Sequence, residues 1–201
     1  ISKLRMFEIL NSVKNPTTLL SKHQKWESLT KESILDKKPW FEVFSESVRL
    51  PDGEVISEYY GIEMPHYTTV FAVTEDQKVI VLRCYRHAIG EVTLTMPGGM
   101  IEETESPFDG IKREFLEETG YVAKEWESLG AFVGNSTRGC GTYHLFFATG
   151  AYPVQAPESG DLEDLELLLW TADELEKAID EKKAQSLCVL SILLLGLRCL
   201  K

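Results

Sequence analysis

Between Pro97 and Tyr121 the chain reads PGGMIEETESPFDGIKREFLEETGY. Few folds can accept that run, because it fixes a helix at both ends and crowds acids onto it. Ser106 is an N-cap residue, Pro107 stands where a missing N–H costs nothing, and Asp109 occupies the capping-box position. Gly120 can take the left-handed conformation that ends a helix. The run therefore predicts a helix from about Pro107 to about Thr119. Phe108, Ile111 and Phe115 form its core stripe. Glu114, Glu117 and Glu118 are related by three and four residues and share one arc. Three acids on one arc repel each other, and a divalent cation reverses that sign. Hard carboxylate oxygens suit Mg²⁺, which takes a few carboxylates together with substrate phosphates. Arg113, four residues before Glu117, can neutralise part of the cluster. Three helical acids more commonly mean a solvated face. The flanking Gly98 and Gly99, Glu105 and the Arg113–Glu114 pair argue for the metal.

Composition removes other classes. The 201 residues are 43% hydrophobic and 26% charged, enough for a globular domain with an appendage. A formal net charge of −11 argues against a nucleic-acid surface. Cys84, Cys140, Cys188 and Cys199 are scattered without a CxxC pair and read as ordinary thiols. The apolar run Leu187–Leu197 is broken by Ser191 and Gly196 and is too short to span a bilayer. With no secretory signal at the start, a reducing cytoplasm is the expected location.

Residues 1–40 predict a short helix around Leu4, Phe7 and Leu10, then an extended arm. From Trp40 the pattern alternates. Residues 41–64 read as a β-hairpin turning at Pro51-Asp52-Gly53, and residues 65–201 as the main domain with its C-terminal helices. Strands are expected at Tyr67–Thr74, Lys78–Arg86, Ser128–Val133, Tyr143–Thr149 and Leu165–Trp170, with a loop from Gly134 to Gly141. Thr171-Ala172-Asp173-Glu174 is a capping box opening a helix, and Lys183–Leu200 predicts a terminal helix. Strands on either side of a central helix, with helices at the end, give an α+β fold: a mixed β-sheet sandwiched between helices, with an N-terminal β-hairpin extension.

The acidic stretch resembles the Nudix box, GX5EX7REUXEEXGU. Gly99, Glu105, Arg113, Glu114, Phe115, Glu117, Glu118, Gly120 and Tyr121 stand in its required places, with aromatics at both apolar positions. The resemblance implies a Nudix fold and hydrolysis of a nucleoside diphosphate linked to another moiety. It implies Mg²⁺ (with Mn²⁺ as the alternative) held by Glu114, Glu118, Glu117 and the Gly98 carbonyl. Arg113 and Glu117 are carried over with the catalytic machinery, Arg113 with Glu105 bracing loop and helix. An acid outside the box serves as general base in similar enzymes. Asp161-Leu162-Glu163-Asp164-Leu165-Glu166 supplies candidates: Glu163 first, then Asp161 and Glu166.

Beyond the box, RLPDGEVISEYYGIE (49–63), VIVLRCYRHAIGEVTLTMPGGMIE (79–102) and ELLLWTADEL (166–175) resemble the ADP-ribose pyrophosphatase and nucleotide-sugar hydrolase group. In that group the arginine matching Arg86 grips the diphosphate, as a planar guanidinium can. The group also implies a homodimer whose hairpin, here with Tyr60 or Tyr59, stacks on the substrate base. Arg138 is a further candidate for a phosphate or sugar contact. The departures are Thr95 where the group has Glu, Gly98 where it often has Ala, and no proline or glutamate in the 134–141 loop. The expected substrate is a nucleotide sugar such as ADP-ribose. Alternatives are a dinucleoside polyphosphate or coenzyme A, and a non-catalytic module that senses a nucleotide sugar.

Overall fold

The computed structural model describes residues 24–158, 160, 162 and 164–201. The chain divides into two units, residues 1–36 with 42–61, and residues 37–41 with 62–201. The helix expected around Leu4, Phe7 and Leu10 lies outside the described residues.

The first unit is a meander of β1 (Glu27–Lys37), β2 (Phe41–Arg49) and the first residues of β3 (Val55–Glu63). The hairpin turns where expected, with the Gly53 N–H donating to the Leu50 carbonyl. The arm expected before residue 40 is instead a full strand, β1, on whose sequence ESLTKESILDK no period-two apolar pattern is imposed. All of β1 is exposed, so no buried face disciplines that pattern. Its contacts are lateral and local: Arg49 pairs with Glu27 at 2.6 Å, Lys31 lies over the Phe44 ring, and Trp26 meets Tyr59 edge-on.

The second unit carries the core. Its strands are β4 (Tyr67–Thr74), β5 (Val79–Arg86), β6 (Glu91–Thr95), β7 (Tyr121–Val122), β8 (Glu125–Asn135), β9 (Gly139–Pro153) and β10 (Glu166–Trp170). Its helices are α1 (Pro107–Thr119), α2 (Ala172–Asp180) and α3 (Leu187–Cys199). β4 runs parallel to β9 and antiparallel to β5, and β5 is antiparallel to β6 and β10, so the sheet is mixed. Strand alternation splits the core in two. Val70, Ala72 and Ile80 face α1 through Ile111 and Phe115. Phe71, Val73, Val79 and Val81 face α2 and α3 through Leu175, Ile192, Leu193 and Leu197. The fold is thus α+β, a sheet between helices. Among the described residues no helix is long and apolar enough to cross a membrane.

α1 has the expected bounds and caps: the Ser106 hydroxyl accepts from Asp109 N, and the Gly120 N–H donates to Leu116 O. Phe108 sits at the edge of its stripe, 37% exposed, its ring edge-on to Trp126. The Thr171 capping box on α2 is complete in both directions. Three expectations need correction. The loop expected from Gly134 to Gly141 is a short turn between β8 and β9, because the Asn135 side chain accepts from the Thr137 and Arg138 amides and closes it. The terminal helix begins at Leu187, not Lys183, because residues 183–185 bond to β6: Leu94 N–H donates to Lys183 O, and Gln185 N–H to the Thr93 hydroxyl. β6 itself was not anticipated as a strand.

Candidate active site

Packing on α1 aims its acids. Ile111 and Phe115 are fully buried against the sheet, each worth roughly 1.5–3 kcal/mol of apolar burial. That fixes the rotation of the helix and turns Glu114 and Glu118 toward the segment Pro97–Gly99. The segment is itself clamped to β4, since Pro97 O and Gly99 O accept from the Val70 and Thr68 amides, each at 2.9 Å. Gly98, between them, has φ +145°, and a Cβ there would come within 2.1 Å of the Thr68 carbonyl oxygen. Only glycine fits that conformation and that approach. The Gly98 N–H donates to Glu118 Oε2 at 2.7 Å, and Glu118 is buried. A Cβ on Gly99 would stand only 2.5 Å from the Glu114 carboxylate, so that carboxylate packs directly against the glycine.

Arg113 organises the other side of the cluster. Nε and Nη2 donate to the two oxygens of Glu105, at 3.1 and 2.7 Å, and Nη2 also reaches Met100 O at 3.2 Å. Nη1 donates to Glu114 at 2.9 Å and Glu117 at 3.0 Å. All five N–H groups of the guanidinium are engaged. The Arg113 hydrogen bonds hold the Glu105 carboxyl below the usual range, and in return Glu105 raises the guanidinium. Arg113 is thereby a positioning residue: it ties the loop at Met100–Glu105 to the two acids on the helix.

Glu114 and Glu117 meet on one Arg113 nitrogen, and Glu118 lies beside Gly98. The three carboxylates are neighbours, although among the described residues no three acid, histidine or cysteine groups form a ready-made metal cage. Such a donor set fits a divalent cation that takes one or two carboxylates and completes its shell with water and phosphate oxygens. It does not fit a dedicated all-protein cage. Gly98, whose N–H meets Glu118, lies between two residues whose carbonyls are already used by β4.

A cavity of about 420 Å³ opens beside this segment. Gly98, Gly99 and Arg86 line it, so the candidate phosphate ligand and the box glycines share one space. Tyr67, Thr93, Gln185 and Cys188 complete much of the wall. Sequence reading missed these. They come from β4, β6 and the start of α3, have no fixed spacing along the chain, and meet only through the sheet order. Alternation along β6 did put Thr93 and Thr95 on one side, which was a usable signal.

The remaining candidates fall elsewhere. Arg138 sits in the β8–β9 turn, exposed, and does not line the cavity; its amide bonds to Asn135 and its carbonyl accepts from Ile62 N–H. Tyr60 is exposed on β3 in the first unit, where a hydrogen bond to the Glu58 carboxylate raises its hydroxyl above the ordinary value. Glu163 and Asp161 lie outside the described residues. Glu166 forms an ion pair with Arg83 at 2.5 Å.

Helical carboxylates suited to a divalent cation, beside a cavity holding an arginine, are the equipment of a pyrophosphohydrolase. Comparison with known proteins makes the class definite. The NUDIX domain model matches residues 64–189, more than half of the chain, and the chain belongs to the Nudix family. It is a Nudix pyrophosphohydrolase, of a family whose hydrolases use divalent cations. It is 26% identical over 158 residues to the ADP-ribose pyrophosphatase of Bacillus subtilis (strain 168), covering 78% of this chain and 84% of that protein. It is 28% identical over 139 residues to the methanol dehydrogenase activator of Bacillus methanolicus, covering 69% and 75% respectively. A crystal structure of an ADP compounds hydrolase matches with a TM-score of 0.77 over 89% of this chain and 95% of that one. At 20% identity, that match establishes the shared fold.

Proposed function

We propose that this enzyme hydrolyses the pyrophosphate bond of a nucleoside diphosphate linked to a sugar, ADP-ribose or a related nucleotide sugar. The products are a nucleoside monophosphate and a sugar phosphate, and the cation is Mg²⁺. The observation that carries the reading is one of adjacency. Arg86 and Gly98–Gly99 line a single cavity, and Glu114 and Glu118 lie against those same glycines. The similarity to the Bacillus subtilis ADP-ribose pyrophosphatase supports the substrate class.

A diphosphate resists hydrolysis because its negative oxygens repel a nucleophile; Glu114, Glu117 and Glu118 would hold a divalent cation, which when bound would supply charge neutralisation and a more acidic water. Arg86 adds a guanidinium that grips phosphate oxygens in a plane. Arg113 keeps Glu114 and Glu117 in place without touching substrate. Glu163 is the general base in this reading: it takes a proton from the attacking water as the new P–O bond forms. The bridging oxygen leaves on the departing phosphate as its bond to phosphorus breaks. Thr95 and Gln185 bring further polar side chains to the cavity beside Arg86, which suits a polyhydroxylated sugar.

The protein is further proposed to act as a homodimer, with residues 41–64 as the pairing element and Tyr60 stacking on the base held by the partner. Trp26, Ile34, Leu35, Val55 and Tyr60 are exposed apolar or aromatic side chains in the first unit, a concentration that suits an interface.

Chromatography after incubation with ADP-ribose, ADP-glucose, GDP-mannose, UDP-glucose and Ap4A, each with Mg²⁺ or Mn²⁺, tests the substrate class. The expected result is cleavage of nucleotide sugars to monophosphate and sugar phosphate, with Ap4A cleaved poorly. Cleavage of Ap4A alone, or binding of nucleotide sugars without any product, contradicts the reading.

A further inference from the structure

One tyrosine lines two cavities. The first is the cavity shared by Arg86 and the box glycines. The second, about 400 Å³, lies among β8, β9 and α3 and is walled by apolar side chains including Phe132, Val133, Leu187 and Leu194. Tyr143 and Cys188 line both. The Tyr143 ring touches residues that line each of them. It stacks on Tyr67, which lines only the first cavity, with centroids 5.2 Å apart and planes 19° from parallel. It also covers Gly134, which lines only the second: a Cβ at Gly134 would stand 2.9 Å from Tyr143 Cε2. Cys188, near the start of α3, lines both cavities beside it. Tyr67 and Tyr143 are direct partners in the parallel β4–β9 ladder, so the ring is anchored in the sheet.

The two spaces differ in chemistry. The first mixes Arg86, threonines and Gln185 with apolar groups such as Leu94, Met96 and Ile192, whereas aliphatic and aromatic groups dominate the second. Resting on the nucleotide-sugar reading, we propose that Tyr143 is a specificity-determining residue whose ring limits the size of the group attached to the nucleoside diphosphate. A sugar fits the first cavity, beside Arg86. A bulkier group with an apolar end meets the ring and is refused, although an apolar space of nearly equal volume lies directly behind it.

The test compares ADP-ribose, cleaved to AMP and ribose 5-phosphate, with flavin adenine dinucleotide, cleaved to AMP and flavin mononucleotide. The wild-type enzyme is expected to favour ADP-ribose at least about tenfold in kcat/KM, within the range by which a pocket wall discriminates. Tyr143→Ala removes the partition and is expected to raise the flavin-to-ADP-ribose ratio of kcat/KM by about tenfold or more, through a lower KM for the flavin substrate. Tyr143→Leu keeps apolar volume in the layer, moves the ratio in the same direction, and carries the test should the alanine variant not fold. Tyr143→Phe keeps the ring and should hold the ratio within about threefold of wild type. A folded Tyr143→Leu or Tyr143→Ala protein with the wild-type ratio overturns the proposal, as does a phenylalanine variant that behaves like alanine. A wild-type enzyme that cleaves no nucleotide sugar defeats the underlying reading and takes this inference with it. A wild type that cleaves ADP-ribose with an unmoved ratio in the variants defeats the inference alone.

Discussion

Arg113→Lys keeps the positive charge but offers three donors where the guanidinium uses five, and it cannot bridge both oxygens of Glu105 in a plane. At least two of the contacts to Glu105, Met100, Glu114 and Glu117 are then lost. The side chain is about a quarter exposed, so solvent offsets part of the loss, and urea titration should show destabilisation of about 2 kcal/mol. Steady-state kinetics should show kcat falling by about 10- to 100-fold, the range for a residue that orients ligating groups, with KM changing less. Glu105 also gives a pH signature. Its folded-state pKa lies below the unfolded value near 4.5, so the unfolded chain takes up the proton first. Its stabilisation is therefore complete above that value and is lost as pH falls through it toward the folded pKa. Urea midpoints measured at pH 7 and then below 4.5 should converge between wild type and Glu105→Gln as the acid limb is entered. Parallel curves contradict the assignment.

At the scale of elements, α1 was legible because its signals are local and redundant: a cap, a proline, an apolar stripe and a terminal glycine all fall within fifteen residues. The acids on it were legible for the same reason. The cavity wall was not. Tyr67 and Tyr143 become neighbours only through a parallel pairing whose partners are far apart in sequence, and no spacing rule encodes that. The start of α3 was misjudged because residues 183–185 are drawn into bonds with β6, where tertiary contact overrides helix propensity. β1 was missed because an exposed strand carries no alternating pattern. Packing of α3 on the sheet gives a direct test at this scale. A Cβ on Gly196 would stand 2.1 Å from the Phe71 ring, so the helix rests on that ring. Gly196→Ala should cost about 2 kcal/mol by overpacking, read as a melting temperature lower by roughly 4–8 °C. A melt at the wild-type temperature shows that α3 does not pack on β4 as described.

At the scale of the whole molecule, the strongly acidic balance and the mixed sheet are ordinary, and the function rests on where the sheet puts one helix. β4 supplies the clamp for Pro97–Gly99, one face of the sheet sets the rotation of α1, and the opposite face carries α3, whose Cys188, Val189 and Ile192 line the cavity. The proposed homodimer belongs to this scale too. Light scattering should give twice the chain mass for residues 1–201, and the mass of one shortened chain once residues 1–64 are removed; a monomer of residues 1–201 refutes it. The central claim is that the α1 acids hold the cation that makes hydrolysis possible, and Glu118→Gln addresses it most directly. That variant keeps the shape and the Gly98 contact while removing the charge. Rates on ADP-ribose across a Mg²⁺ titration should fall by about 100-fold or more, with a weakened dependence on the metal. An unchanged rate with an unchanged Mg²⁺ requirement would contradict the account.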